Sequence, residues 1–120
     1  MSETATEPFK ERSLALATGG INLLEGGDGT PIVFLHHSWG SAGWLPLHSM
    51  LAADHRVLVP DMPGWGASER PVWAREPRDI ALLMGRALDR LELGPVAVVG
   101  GGFGGYVAAE LACASPARLS

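Results

Sequence analysis

Cysteine is almost missing from this sequence. Cys113 stands alone among 120 residues, so no disulfide can close within the chain, and its apolar surroundings suit a small buried hydrophobe. Positive charge is also scarce. Nine Lys and Arg against thirteen Asp and Glu leave a formal charge of −4 with the signs scattered. That pattern offers no basic stripe for a phosphate backbone and argues against nucleic acid as a partner. No run of about eighteen apolar residues occurs, so neither a membrane span nor a membrane partner is expected. The residues up to Arg12 are polar and lack the apolar centre of a signal peptide, which points to a cytoplasmic protein. No metal-ligand spacing is present and no cofactor is expected.

What is present suits one small domain: 47% of the residues are apolar, an ordinary share for a globular core. Residues 1–11 read as a flexible polar tail and 12–120 as the domain. Ser13–Thr18 and Ile21–Glu25 are strand candidates with a hairpin turn at Gly19-Gly20. Ile32–Leu35, Val57–Val59 and Val96–Val99 are short continuous apolar runs, the pattern of strands covered on both faces of a parallel sheet. Trp44–Ala53 predicts a short helix with Trp44, Leu47 and Leu51 on one face. Asp79–Leu91 predicts the strongest helix, with Ile80, Leu83, Met84, Ala87, Leu88 and Leu91 at helical spacing, Asp79 as N-cap, and Gly94-Pro95 as the stop. Gly85 lies inside that helix, where alanine suits the backbone better. Gly104–Ala114 predicts a last helix, apolar nearly all round. Strands alternating with helices after a hairpin argue an α/β fold, a mostly parallel sheet with an antiparallel N-terminal edge.

Three segments carry the chemistry. Phe34-Leu35-His36-His37-Ser38-Trp39-Gly40 leaves a strand, and Pro60-Asp61-Met62-Pro63-Gly64-Trp65-Gly66-Ala67-Ser68 leaves another. Gly100-Gly101-Gly102-Phe103-Gly104 then forms a glycine turn between strand and helix, the layout of a nucleophile elbow. In order and spacing these segments resemble the N-terminal half of an α/β-hydrolase of the esterase, epoxide hydrolase and haloalkane dehalogenase type. The resemblance covers about Arg12 to Ser120 and implies a partial α/β-hydrolase fold ending after the elbow helix. It also implies that the backbone N–H groups of Ser38 and Phe103 form an oxyanion hole, and that His36, Asp61, Gly64 and Gly66 hold loops in place.

Two positions depart from the family pattern. His37 stands where the family has glycine, and Gly102 stands where it has its serine or aspartate nucleophile. The resemblance places the catalytic acid and histidine on later strands, which fall beyond Ser120. Nucleophilic catalysis needs an attacking atom, a base and a group to orient the base. A competent serine hydrolase is therefore not expected from these residues, and the chain reads as a truncated, split or non-catalytic homologue. His36 and His37 leave their strand on opposite sides and make a poor chelating pair. His48 and His55 read as surface residues.

Two alternatives stay open. A binding module would use the oxyanion-type pocket for a small-molecule ligand without turnover. A dinucleotide-binding segment would use Gly100-x-Gly102-x-x-Gly105, although that fingerprint belongs on the first strand of its domain. With Val96–Val99 as an outer strand and an apolar helix behind it, self-association or a complementing C-terminal half is expected.

Overall fold

The computed structural model describes residues 8–120. The chain runs through β1 (Lys10–Leu16), β2 (Gly19–Gly26), β3 (Thr30–Leu35), α1 (Pro46–Leu51), β4 (His55–Pro60), α2 (Pro77–Leu91), β5 (Ala97–Gly100) and α3 (Phe103–Ala114). A short 3₁₀ turn follows at Pro116–Arg118. The five strands lie in the order β1-β2-β4-β3-β5. β1 pairs antiparallel with β2, and β2 antiparallel with β4. β3 runs parallel to both β4 and β5. This is the expected α/β architecture with its antiparallel edge. No helix among the described residues is long and apolar enough to cross a membrane.

The boundaries differ from the sequence-based expectations in instructive places. β1 already includes Lys10 and Glu11, which fall in the polar tail expected over 1–11. Residues 1–7 of that tail lie outside the described residues. Gly19 and Gly20 belong to β2, opposite Leu16 and Ala15, so the hairpin turns at Ala17-Thr18 instead. Contacts with Glu69 hold Gly20 in the strand: the Gly20 N–H donates to Glu69 Oε1 at 2.8 Å, and the Glu69 N–H to the Gly20 carbonyl at 2.9 Å. Asp79 is not the N-cap of α2. It is the helix's third residue, and its carboxylate accepts the N–H groups of Arg75 (3.1 Å) and Glu76 (3.2 Å).

α2 and α3 cover one face of the sheet. Ile21, Leu23, Val33, Leu35 and Leu58 from the strands pack there against Ile80, Leu83, Met84, Ala87, Leu88, Val107 and Leu111. The helical spacing in α2 is what delivers these residues to one stripe. Gly85 also faces inward. A β-carbon there would come within 2.8 Å of Arg118 Nη1, and Arg118 is held by Asp89 (2.7 and 2.9 Å) and Ser115. Those hydrogen bonds also hold the Asp89 carboxyl below its usual range. The gain of up to about 1 kcal/mol expected from alanine at Gly85 is therefore offset by displacing that guanidinium.

β5 is the outer strand among the described residues. Only its start is flanked, where Val96 forms a parallel bridge with Leu119. Val99, expected to be covered, is 48% exposed, and α3 leaves Tyr106 60% exposed. Cys113 is exposed on the same helix, not buried as its apolar surroundings suggest, because nothing among the described residues packs on that side of α3.

α1 lies on the other face of the sheet, and here His48 corrects another expectation. It is buried, not a surface residue. Its ring meets Phe34 edge-on at 4.6 Å, and its Nδ1 accepts the Leu45 N–H at 2.9 Å. Burial disfavours the imidazolium and lowers the His48 pKa from its usual value. The unfolded chain then takes up this proton first. The stabilisation from neutral His48 is complete above about pH 6.5 and is lost as pH falls from there through the lowered folded value. Urea midpoints at pH 7.5 and 5.5 should therefore separate more for the native chain than for His48→Asn, whose amide oxygen can still accept from Leu45.

Candidate functional site

β3, β4 and β5 all end on one side of the sheet, and their three loops meet there, as ligand sites do in open α/β sheets. The turn after β5 is built on close approach. A β-carbon on Gly104 would run into the Leu35 carbonyl, and one on Gly100 into the Gly104 carbonyl. Glycine at both positions lets α3 start directly against β3 and β5. Between them Gly102 sits at φ 56°, ψ −122° as the N-cap of α3. This is the strained tip conformation of an elbow, reached here by a residue without steric penalty.

The β3 loop is tied to the β4 loop by His36. Its Nε2 accepts the Met62 N–H at 2.9 Å, which requires the other nitrogen to carry the proton. Nδ1–H then donates to the His37 carbonyl at 2.7 Å. His36 is thus a neutral cross-brace with no free nitrogen. Asp61 is equally committed. Its Oδ2 accepts the Ala67 N–H (3.2 Å) and the Asn22 side-chain amide (3.3 Å). The Ser68 hydroxyl donates to its carbonyl at 2.6 Å and accepts the Asn22 N–H at 2.8 Å. Gly64 and Gly66 take positive φ, 95° and 52°, in the turn between, and a β-carbon on Gly66 would strike the Asp61 carboxylate.

Trp65 joins all three loops. Its indole N–H donates to the Ser38 carbonyl at 2.7 Å, its ring lies 5.2 Å from Phe103, and the His36 ring meets it edge-on. The sequence shows an aromatic in a glycine loop but carries no signal that it reaches two other segments. Among the described residues, the backbone N–H groups of Ser38 and Phe103 have no acceptor. The site therefore presents free donors from the β3 loop and from the first turn of α3.

The two departures from the family pattern meet in space. A β-carbon on Gly102 would sit well inside contact distance of His37 Nδ1, and one on Gly101 would lie 2.8 Å from His37 Nε2. The His37 ring occupies the room that an elbow side chain would need. It stacks on Trp39 at 4.5 Å with planes 12° apart, and among the described residues its nitrogens have no hydrogen-bond partner. A cavity of about 250 Å³ opens beside it, lined mainly by Phe34, Trp39, Leu45, Leu47, His48 and Val99. His55 lies at the far end of β4, where Nδ1 pairs with Asp54 at 2.8 Å. No three His, Cys, Asp or Glu side chains among the described residues are grouped to hold a metal ion.

Residues 31–120 match the family model for the alpha/beta hydrolase fold. The chain belongs to the α/β-hydrolase family. Among curated relatives, a 2-hydroxymuconate semialdehyde hydrolase of Pseudomonas sp. (strain CF600) is 35% identical over 99% of this chain and 44% of its own. A 2-hydroxy-6-oxo-2,4-heptadienoate hydrolase of Pseudomonas putida (strain ATCC 700007 / DSM 6899 / JCM 31910 / BCRC 17059 / LMG 24140 / F1) is 37% identical over 84% of this chain and 39% of its own. A solved epoxide hydrolase from Vigna radiata shares the fold at a TM-score of 0.85, with 22% identity over 97% of this chain and 38% of its own. The α/β-hydrolase chain described here thus spans about two fifths of the length of the relatives it matches, and its sheet is the corresponding part of their fold.

Proposed function

We propose that this α/β-hydrolase segment, whose elbow tip carries no nucleophilic side chain, uses the elbow site to bind a small acyl compound, an ester or a carboxylate. The observation that carries the reading is Gly102 at the tip of the turn: no residue there can attack an acyl carbon. The donors that would receive a ligand oxygen are backbone groups and need no side chain at 102. Such donors stabilise negative charge on an acyl oxygen, and removing one from a working enzyme costs roughly 3 kcal/mol of transition-state stabilisation. The relatives' names fit this ligand class, since both specify carboxylates, a muconate semialdehyde and an oxo-heptadienoate. The Ser38 and Phe103 donors, with His36, Asp61, Gly64 and Gly66 holding their loops, form the site. No observation favours the dinucleotide alternative over it.

Titrating the isotopically labelled chain with butyrate should shift the Ser38 and Phe103 amide resonances along one saturable curve. A fluorophosphonate reagent should leave no adduct on the elbow peptide. Unmoved Ser38 and Phe103 amides at saturating butyrate would refute the proposal.

A further inference from the structure

We propose that His37 is the reacting group at this elbow, an imidazole nucleophile in the place left empty by Gly102, and that its substrates are activated acyl compounds such as aryl esters and thioesters. The inference rests on the reading of the site as an acyl-binding pocket and adds a reaction to it. Three observations support it together. The His37 nitrogens lie beside the β-carbon positions of Gly101 and Gly102, so the ring sits where the elbow's attacking atom would project. The ring is stacked on Trp39, which limits its rotation. Its nitrogens are free, whereas both nitrogens of His36 are committed to backbone groups.

Histidine can form covalent acyl intermediates without a second activating residue, because neutral imidazole already carries an available lone pair. That nitrogen attacks the acyl carbon, and the carbonyl π electrons move onto oxygen beside the Ser38 and Phe103 N–H groups. Collapse breaks the acyl C–O or C–S bond, and the phenolate or thiolate leaves with the electron pair. The other ring nitrogen loses its proton to solvent, giving an N-acylimidazole. Water then adds to the acyl carbon and the N–C bond breaks. The carboxylate departs, its proton is released, and imidazole is restored. The leaving group sets the substrate class. An alkoxide is a far worse leaving group than imidazole, so an alkyl ester adduct reverts, while phenolate and thiolate depart first.

The test uses the full chain with p-nitrophenyl acetate. Release of p-nitrophenol should begin with a burst of one equivalent per chain, accompanied by the transient ultraviolet band of an N-acylimidazole that is lost in His37→Gln. His37→Gln should lose about ten-fold or more of the rate, while His55→Gln, remote from the site, keeps it. His37→Gly opens the space above Gly102, and added free imidazole should restore p-nitrophenol release there. The rescued rate must exceed the rate that the same imidazole gives without the chain and must saturate with ester, which would not occur if His37 were only a structural filler. Absence of the burst or of the band, an unchanged rate in His37→Gln, or no rescue of His37→Gly overturns the proposal. If butyrate still shifts Ser38 and Phe103 while no acetyl transfer occurs, His37 is not the nucleophile and the binding reading survives. If butyrate binding is absent too, both fall.

Discussion

Gly104→Ala is expected to destabilise the chain by about 3 kcal/mol or more, at the upper end of overpacking substitutions. The added methyl group would enter the Leu35 carbonyl and reach 2.5 Å from the His36 carbonyl. Both obstacles are backbone, so no side chain can rotate away, and α3 must lift off β3. Gly104 is also buried on the inner side of that helix, so the displacement opens space between α3 and the Val33 and Leu35 side chains. Thermal or urea unfolding should show the loss directly. A midpoint within experimental error of the native chain would mean that α3 does not rest on β3 at this distance.

Gly102→Ala should cost about 2–4 kcal/mol, and part of that cost should vanish when His37 is removed. Two separate effects act at this position. Positive φ in a non-glycine residue stores about 1–3 kcal/mol. The β-carbon also collides with the His37 ring, which must leave its place against Trp39. A double-mutant cycle separates the two. His37→Gly relieves the collision but leaves the backbone strain, so the coupling between the positions should be about 0.5–3 kcal/mol and favourable. Strict additivity would show that His37 does not sit over Gly102 in solution. By the same contact Gly102→Ser alone is expected to form no acyl-serine, since the hydroxyl has no room until His37 is also made small.

The elbow, the Pro60–Ser68 loop and the helical stripe of α2 were legible in the sequence because each depends on local rules. Glycine spacing marks positive φ and close approach, and apolar spacing marks one face of a helix. Asp61 and His36 could be singled out through the motifs they belong to, but the Asn22 side chain on Asp61, from a strand 39 positions earlier, could not. His48 was not. It is a polar residue on a short helix whose buried face was expected at Trp44, Leu47 and Leu51, and only the placement of Phe34 and Trp44 around α1 buries it. Cys113 failed in the opposite direction, since an apolar neighbourhood in sequence became an exposed helix face. Trp65 gave no local sign of its link to Ser38, a residue 27 positions earlier.

By itself the sequence determined that this is an α/β protein of the α/β-hydrolase kind, with parallel strands beside an antiparallel edge, and that the residue at its elbow tip cannot attack an acyl carbon. Those properties follow from residue identity at fixed spacing. Only the tertiary structure decided that the histidine at 37 occupies the space a side chain at 102 would need. The two positions lie on different loops, and nothing local relates them. Parallel strands β3 and β5 pair side by side and bring their ends together. The imidazole then fills the volume that the missing side chain leaves.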